Sequence, residues 1–144
     1  VLGAGGAGRS TAAALKAAGA RVLLYRRNRR LLKEACEELG VEAAEGVVPC
    51  DIFINCTGVG MHESTGQSPV AGEALNQCLT AVDLIYRPAE SEFLRLARER
   101  DKKTLSGGAM LFYQAYFSDC LYLGRKESAE EAKALYAEYL QRTQ

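Results

Sequence analysis

The sequence has no tryptophan, one histidine and only three prolines in 144 residues. A lone histidine, His62, cannot anchor a zinc site here, because the five cysteines are widely spaced and include no C-x-x-C pair. Net charge is also absent, with 18 basic and 18 acidic residues in balance. That balance excludes a nucleic-acid or membrane partner held by bulk electrostatics. No apolar run approaches the roughly 20 residues that span a bilayer, and no signal-peptide pattern is visible. The cysteines, Cys36, Cys50, Cys56, Cys78 and Cys120, are odd in number and read as free thiols of a reducing, cytoplasmic compartment. None of them has a base placed to make it a catalytic nucleophile.

What is present is ordinary globular composition, 48% hydrophobic and 25% charged, in a length that suits one domain. Val1-Leu2 reads as the end of a buried strand, so the expectation is a domain excised from a longer chain with its first strand truncated. Strands and helices then alternate. Ala7 to Ala18 is Ala-rich and helical, with Gly19 as its cap. Arg21 to Tyr25 reads as a strand, and Arg29 to Leu39 as a helix stopped by Gly40. Val41 to Ala44 is a short strand, and Asp51 to Cys56 a strongly apolar one. A loop rich in Gly, Ser and Pro covers Thr57 to Gly72. Ala81 to Tyr86 is a strand, Ser91 to Arg100 a helix with Phe93, Leu94 and Ala97 inward, and Lys103 to Leu105 a sixth strand. Helices over Ala109 to Leu123 and Ala129 to Arg142 close the chain. Such alternation implies crossover connections and a doubly wound, mainly parallel sheet in a three-layer α/β/α sandwich. Ligands of such sheets sit at the carboxyl ends of the strands.

Gly3-Ala4-Gly5-Gly6-Ala7-Gly8 matches G-x-G-x-x-G between an apolar strand end and a helix. The glycines serve different ends. Gly3 allows the tight turn, Gly5 allows close approach to a pyrophosphate, and Gly8 allows close packing of helix on strand. The free amides at the helix start favour phosphate oxygens. NAD-binding domains carry an acid near the end of the second strand, where it holds the ribose hydroxyls. Here that position reads Tyr25-Arg26-Arg27-Asn28-Arg29-Arg30, with no acid. Arginine suits a phosphate dianion, so NADP is the expected cofactor.

Several segments together resemble the C-terminal, Rossmann-type cofactor domain of the shikimate dehydrogenases. The glycine loop is one. Arg26-Arg27-Asn28 falls where the family carries an Asn-Arg-Thr clamp for the 2′-phosphate. It keeps the central arginine and departs on either side. Ile54-Asn55-Cys56-Thr57-Gly58-Val59-Gly60-Met61 resembles the family's Asn-Ala-Thr-x-x-Gly-Met segment, beside the nicotinamide half. Val82-Asp83-Leu84-Ile85-Tyr86-Arg87-Pro88 resembles its Asp-x-x-Tyr-x-Pro strand end. Gly107 to Gln114 resembles its Gly-x-x-Met-Leu-x-x-Gln stretch. The resemblance implies reversible, NADPH-dependent reduction of 3-dehydroshikimate to shikimate, in aromatic amino-acid biosynthesis. It assigns Gly3 to Gly8, Arg26, Arg27, Asn28, Cys56, Thr57, Gly58, Val59, Leu84, Gly107 and Met110 to the cofactor, and Tyr86 and Gln114 to the substrate. In the family the catalytic lysine and aspartate lie in an N-terminal domain, so no catalytic residue is expected in this chain.

The residues themselves fit that reading. Asn55, Thr57 and Tyr86 stand just past strand ends, in the expected ligand crevice. Asp83 reads as structural, since nothing basic is placed to share its proton. His62 reads as a surface residue. Carbonyl reduction needs a proton donor, and no convincing one is present, so the domain alone should be a very poor catalyst. Two alternatives stay open: an NAD-dependent quinate/shikimate dehydrogenase, and a non-catalytic NADP-binding regulatory module. Glutamyl-tRNA reductase and methylenetetrahydrofolate dehydrogenase have similar cofactor domains, but the Met110 to Gln114 stretch favours the shikimate branch. The last helix carries an apolar stripe, Ala132, Leu135, Tyr136, Tyr139 and Leu140. It is available to this domain or to the absent N-terminal one, and a homodimer stays open as a partner.

Overall fold

The computed structural model describes residues 1–143, in two compact units that divide after Ser106. In the first unit, α1 (Gly6–Ala17) follows the glycine turn, and β1 (Leu23–Leu24) follows α1. Then come α2 (Arg29–Leu39), β2 (Glu42–Ala43), β3 (Ile52–Asn55), β4 (Thr80–Asp83), α3 (Glu92–Arg98) and β5 (Lys103–Leu105). All paired strands are parallel. β1 pairs with β2, and β3, β4 and β5 form a row. Leu2 bridges both Tyr25 and Asn55, also in parallel, and so joins the two sets. Its amide donates to Ile54 O at 2.8 Å, and its carbonyl accepts from Cys56 N at 2.8 Å. Counting Leu2 as the first strand position, the order is 3-2-1-4-5-6, with the reversal between Leu2 and β3. That is the doubly wound arrangement the alternation predicts.

The right-handed crossover rule puts α1 and α2 on one face and α3 on the other. The cores agree. Val22, Leu24 and Leu32 pack with Ala4, Ala12, Ala35 and Cys36 on the first face. Leu2, Phe53, Ala81, Phe93, Leu94 and Ala97 gather with Leu75 and Cys78 on the second. Each large side chain fully buried there contributes about 1.5–3 kcal/mol.

Local chemistry sets the element ends. Asn28 caps α2, its Oδ1 accepting from Leu31 N at 3.1 Å, and Gly40 ends the helix in the left-handed conformation at φ 61°. The strand expected over Ala81 to Tyr86 stops at Asp83. There the carboxylate accepts from Ile85 N at 3.0 Å, which turns the backbone out of the ladder. The run Arg21 to Tyr25 pairs with β2 only at Leu23–Leu24, then crosses to Leu2 at Tyr25. The segment read as loop from Thr57 to Gly72 holds a 3-10 turn at His62–Ser64, and a second spans Gly72–Gln77. One or two such turns are too short to leave a periodic pattern.

The second unit is a helix pair, α4 (Gly108–Tyr122) and α5 (Ala129–Thr143). Tyr116, Cys120 and Ala132 are buried between them. Phe112 lies 5.1 Å from Tyr136 and 5.4 Å from Tyr139 between ring centroids. Ala132, Tyr136 and Tyr139 of the α5 stripe are thus engaged with α4. Tyr116 Oη donates to Glu131 Oε2 at 2.7 Å and accepts from Ser128 N at 3.2 Å.

Candidate functional site

Gly3 and Gly8 meet the steric demands the sequence predicts for them. Gly3 sits at φ +99°, and a Cβ there would lie 2.9 Å from the Cys56 carbonyl oxygen. At Gly8 a Cβ would lie 1.9 Å from the Gly3 carbonyl oxygen, so α1 packs on the strand end only because the atom is missing. Gly5, the residue before α1, is extended and exposed, and a Cβ there would meet nothing within 4 Å. No side chain caps α1, and its first turn holds no acid. Gly6 and Ala7 are exposed while Ala4 is buried. The result is an open, electropositive helix start beside a bare backbone, a cradle that a phosphate pair fits.

The arginines at the end of β1 differ in their partners. Arg29 donates to the Glu45 carbonyl at 2.9 Å, and Arg30 pairs with Glu34 along α2. Arg26 is half-buried and reaches back to the Ala4 carbonyl at 3.4 Å, so its guanidinium borders the glycine turn. Arg27 is exposed and has no hydrogen-bond or ion-pair partner among the described residues. Arg26 and Arg27 are the cations this corner offers to a ligand. Asn28 is also exposed, with its oxygen engaged as the α2 cap.

At the carboxyl ends of β3 and β4, polar side chains lock together. Asn55 and Asp83 are both fully buried and stand opposite each other in the ladder. Asn55 Nδ2 donates to Asp83 Oδ1 at 3.0 Å and to Val59 O at 3.2 Å. Asn55 Oδ1 accepts from Thr57 N at 3.0 Å and Thr57 Oγ1 at 2.7 Å. Its full hydrogen-bonding capacity is used. Asn55 is therefore not a ligand-facing group, which corrects its placement in the crevice; it shapes the turn that is. Asp83 is structural, as its surroundings in sequence suggest. Burial pushes its carboxyl above the ordinary range, against the opposing pull of hydrogen bonds from Ser91, Ile85 N and Asn55.

The structure brings Cys56 and Thr57 against Gly3 and Gly8. Cys56 Sγ lies 3.7 Å from Thr11 Oγ1 of α1, and burial raises its thiol pKa, so it is no ready nucleophile. Gly58 is exposed, and Val59 is half-buried with its amide bonded to Thr57 Oγ1 at 3.1 Å. Leu84 is half-buried just past β4, and Tyr86 is exposed. His62 is exposed at φ 51°. In the second unit, Gly107 is buried directly before α4, and Met110 and Gln114 are exposed on that helix. Sequence reasoning missed Ser91, which accepts from Leu94 N at 3.3 Å as the cap of α3 while donating to Asp83 Oδ2 at 2.5 Å. Its position as the first polar residue before an apolar helix was the available signal.

A parallel sheet in this order, with a glycine turn on its central position and a bare helix start, defines a dinucleotide-binding domain. No protein-family model matches the chain. It is 36% identical over 137 residues to the shikimate dehydrogenase (NADP(+)) of Caldanaerobacter subterraneus subsp. tengcongensis, covering 86% of this chain and 49% of that one. The same enzyme of Methanosarcina acetivorans is 32% identical over 154 residues, covering 98% and 55%. Among solved structures, shikimate 5-dehydrogenase from Thermus thermophilus in complex with NADP(H) and shikimate superposes with a TM-score of 0.80 at 34% identity, covering 92% and 51%. The chain spans about half the length of the curated relatives it matches. Over most of its length the chain is similar to shikimate dehydrogenases, and the match corresponds to their C-terminal, NADP-binding domain.

Proposed function

We propose that residues 1–144 are the NADP-binding domain of a cytoplasmic oxidoreductase that reversibly reduces 3-dehydroshikimate to shikimate with NADPH. The observation that carries the cofactor reading is the pairing of an open glycine cradle with Arg27, unpartnered among the described residues, beside Arg26. An acid would be needed there for NAD preference, and none is present. The relatives named for NADP(+) and the structure holding NADP(H) and shikimate support the same reading. Gly3 to Gly8 would cradle the pyrophosphate, with Arg26, Arg27 and Asn28 at the 2′-phosphate. Cys56 to Val59 and Leu84 would border the nicotinamide half, and Gly107 and Met110 are the cofactor residues proposed in the second unit. Bound there, the cofactor supplies hydride chemistry to a carbonyl carbon.

Tyr86 and Gln114 are the proposed substrate-side groups of this chain, each an exposed hydrogen-bonding side chain suited to a polyhydroxylated ring. The catalytic acid–base groups would belong to an N-terminal domain of the full protein.

Calorimetric titration with NADP and NAD tests the cofactor assignment. NADP should bind more tightly, and equal affinity or tighter NAD would overturn the reading. Arg27→Ala should weaken NADP and leave NAD nearly unchanged. A charge-assisted hydrogen bond contributes about 1.5–3 kcal/mol. Arg27 is exposed, so screening brings the expected loss nearer about 1 kcal/mol.

A further inference from the structure

We infer that Asp83 and Ser91 are a positioning pair that sets the shape of the Cys56–Val59 turn and thereby the grip on the non-adenosine half of the cofactor, without touching it. The inference rests on the NADP reading. In a doubly wound sheet the two nucleotide halves lie on either side of the strand-order reversal. Arg26 and Arg27, past β1, occupy the adenosine side. The Cys56–Val59 turn, past β3, occupies the other.

The hydrogen bonds run in one direction. A carboxylate only accepts, so the atom of Asn55 that faces Asp83 must be its nitrogen. This fixes the amide and leaves Oδ1 facing Thr57, where it takes both the amide and the hydroxyl proton. The Thr57 hydroxyl has then donated its proton, and its oxygen accepts from Val59 N. Asn55 Nδ2 closes the turn on the Val59 carbonyl. Asp83 itself is held from three sides. Ser91 Oγ donates to Oδ2 at 2.5 Å, and Asn55 and Ile85 N donate to Oδ1 at 3.0 Å each.

Every link is buried or half-buried, and Gly60 seals the space behind it. A Cβ there would lie 3.3 Å from the Gln67 carbonyl oxygen and 3.6 Å from Ser91 Cβ. The far end of the chain is the turn whose Cys56 carbonyl and Thr57 methyl press on Gly3. One carboxylate, pinned by a helix cap, therefore dictates the position of the backbone that abuts the glycine cradle. Losing the Ser91 hydroxyl leaves Oδ2 without its donor, so the carboxylate can rotate and carry Oδ1 away from Asn55 Nδ2, and the turn loses its fixed amide.

The test uses two probes on the intact protein. NADP reaches both halves of the site, whereas adenosine 2′,5′-bisphosphate reaches only the adenosine side. Ser91→Ala should weaken NADP about three- to tenfold, the effect of one buried hydrogen bond. It should leave the bisphosphate within about twofold, because the arginine corner is untouched. Ser91→Thr, which keeps the hydroxyl, should restore NADP affinity. Equal loss for both probes, no loss for either, or failure of threonine to rescue would overturn the proposal. Hydrogen exchange on the unsubstituted protein provides an arm that no folding defect can obscure. The Thr57 and Val59 amides should be protected well beyond that of exposed Gly58, and exchange as fast as Gly58 would overturn the proposal. A wild-type protein that binds neither probe would instead overturn the NADP reading itself.

Discussion

Gly5 and Gly8 belong to one short loop, yet substituting them should have opposite consequences. Gly5 faces open space, where an added Cβ has no neighbour within 4 Å. The Gly5→Val variant should melt near the wild-type temperature, but its branched side chain would stand where a pyrophosphate must approach. Calorimetry should show NADP binding abolished, and normal binding by a folded variant would reduce the loop to a simple turn. Gly8→Ala drives a methyl into the Gly3 carbonyl, a backbone oxygen with no freedom to swing aside. We expect a stability loss of about 1–3 kcal/mol, read from denaturant midpoints.

Among the secondary elements, the α4–α5 pair carries its own pH signature. Tyr116 donates to Glu131, which also pairs with Arg125 at 2.8 Å. The hydrogen bond to Glu131, with burial behind it, pushes the Tyr116 phenol up to about 12. The bonds from Tyr116 and then Arg125 hold the Glu131 carboxyl below its ordinary 4.5. The signs follow from linkage. The tyrosine contribution is fully present below its unfolded value of 10 and is lost as pH rises through about 12. The glutamate contribution is present above 4.5 and is lost as pH falls through the depressed folded value. A spectrophotometric titration should show a tyrosine step near pH 12. Tyr116→Phe should abolish that step.

At the scale of the whole molecule, the proposed function makes Gln114, exposed on α4, a substrate-side group. Gln114→Ala in the intact protein should raise KM for shikimate several-fold, the loss of one neutral hydrogen bond at about 0.5–1.5 kcal/mol. The KM for NADP should barely move. Steady-state kinetics with each substrate varied in turn checks this. An effect confined to NADP would move Gln114 to the cofactor, and no effect on either would leave it without a role in binding. Among the described residues, no helix is long and apolar enough to cross a membrane.

Features that rest on local periodicity and backbone chemistry are legible in the amino-acid order. The helix over Arg29 to Leu39 and its glycine stop are of this kind, because a cap, an apolar stripe and a left-handed residue act within a few positions. The same holds for the steric demands at Gly3 and Gly8, since steric demand at a turn is a property of single residues. The absence of an acid after the second strand is legible for the same reason. Which polar groups are structural, by contrast, emerges only from the packed fold. Asn55 and Asp83 are 28 positions apart and meet because parallel pairing sets them opposite each other, and Ser91 joins them only where α3 begins. In the sequence, Asn55 is as polar and as close to a strand end as any ligand-binding residue. Its hydrogen bonds, spent entirely inside the protein, distinguish it from Arg27, whose guanidinium remains uncommitted among the described residues.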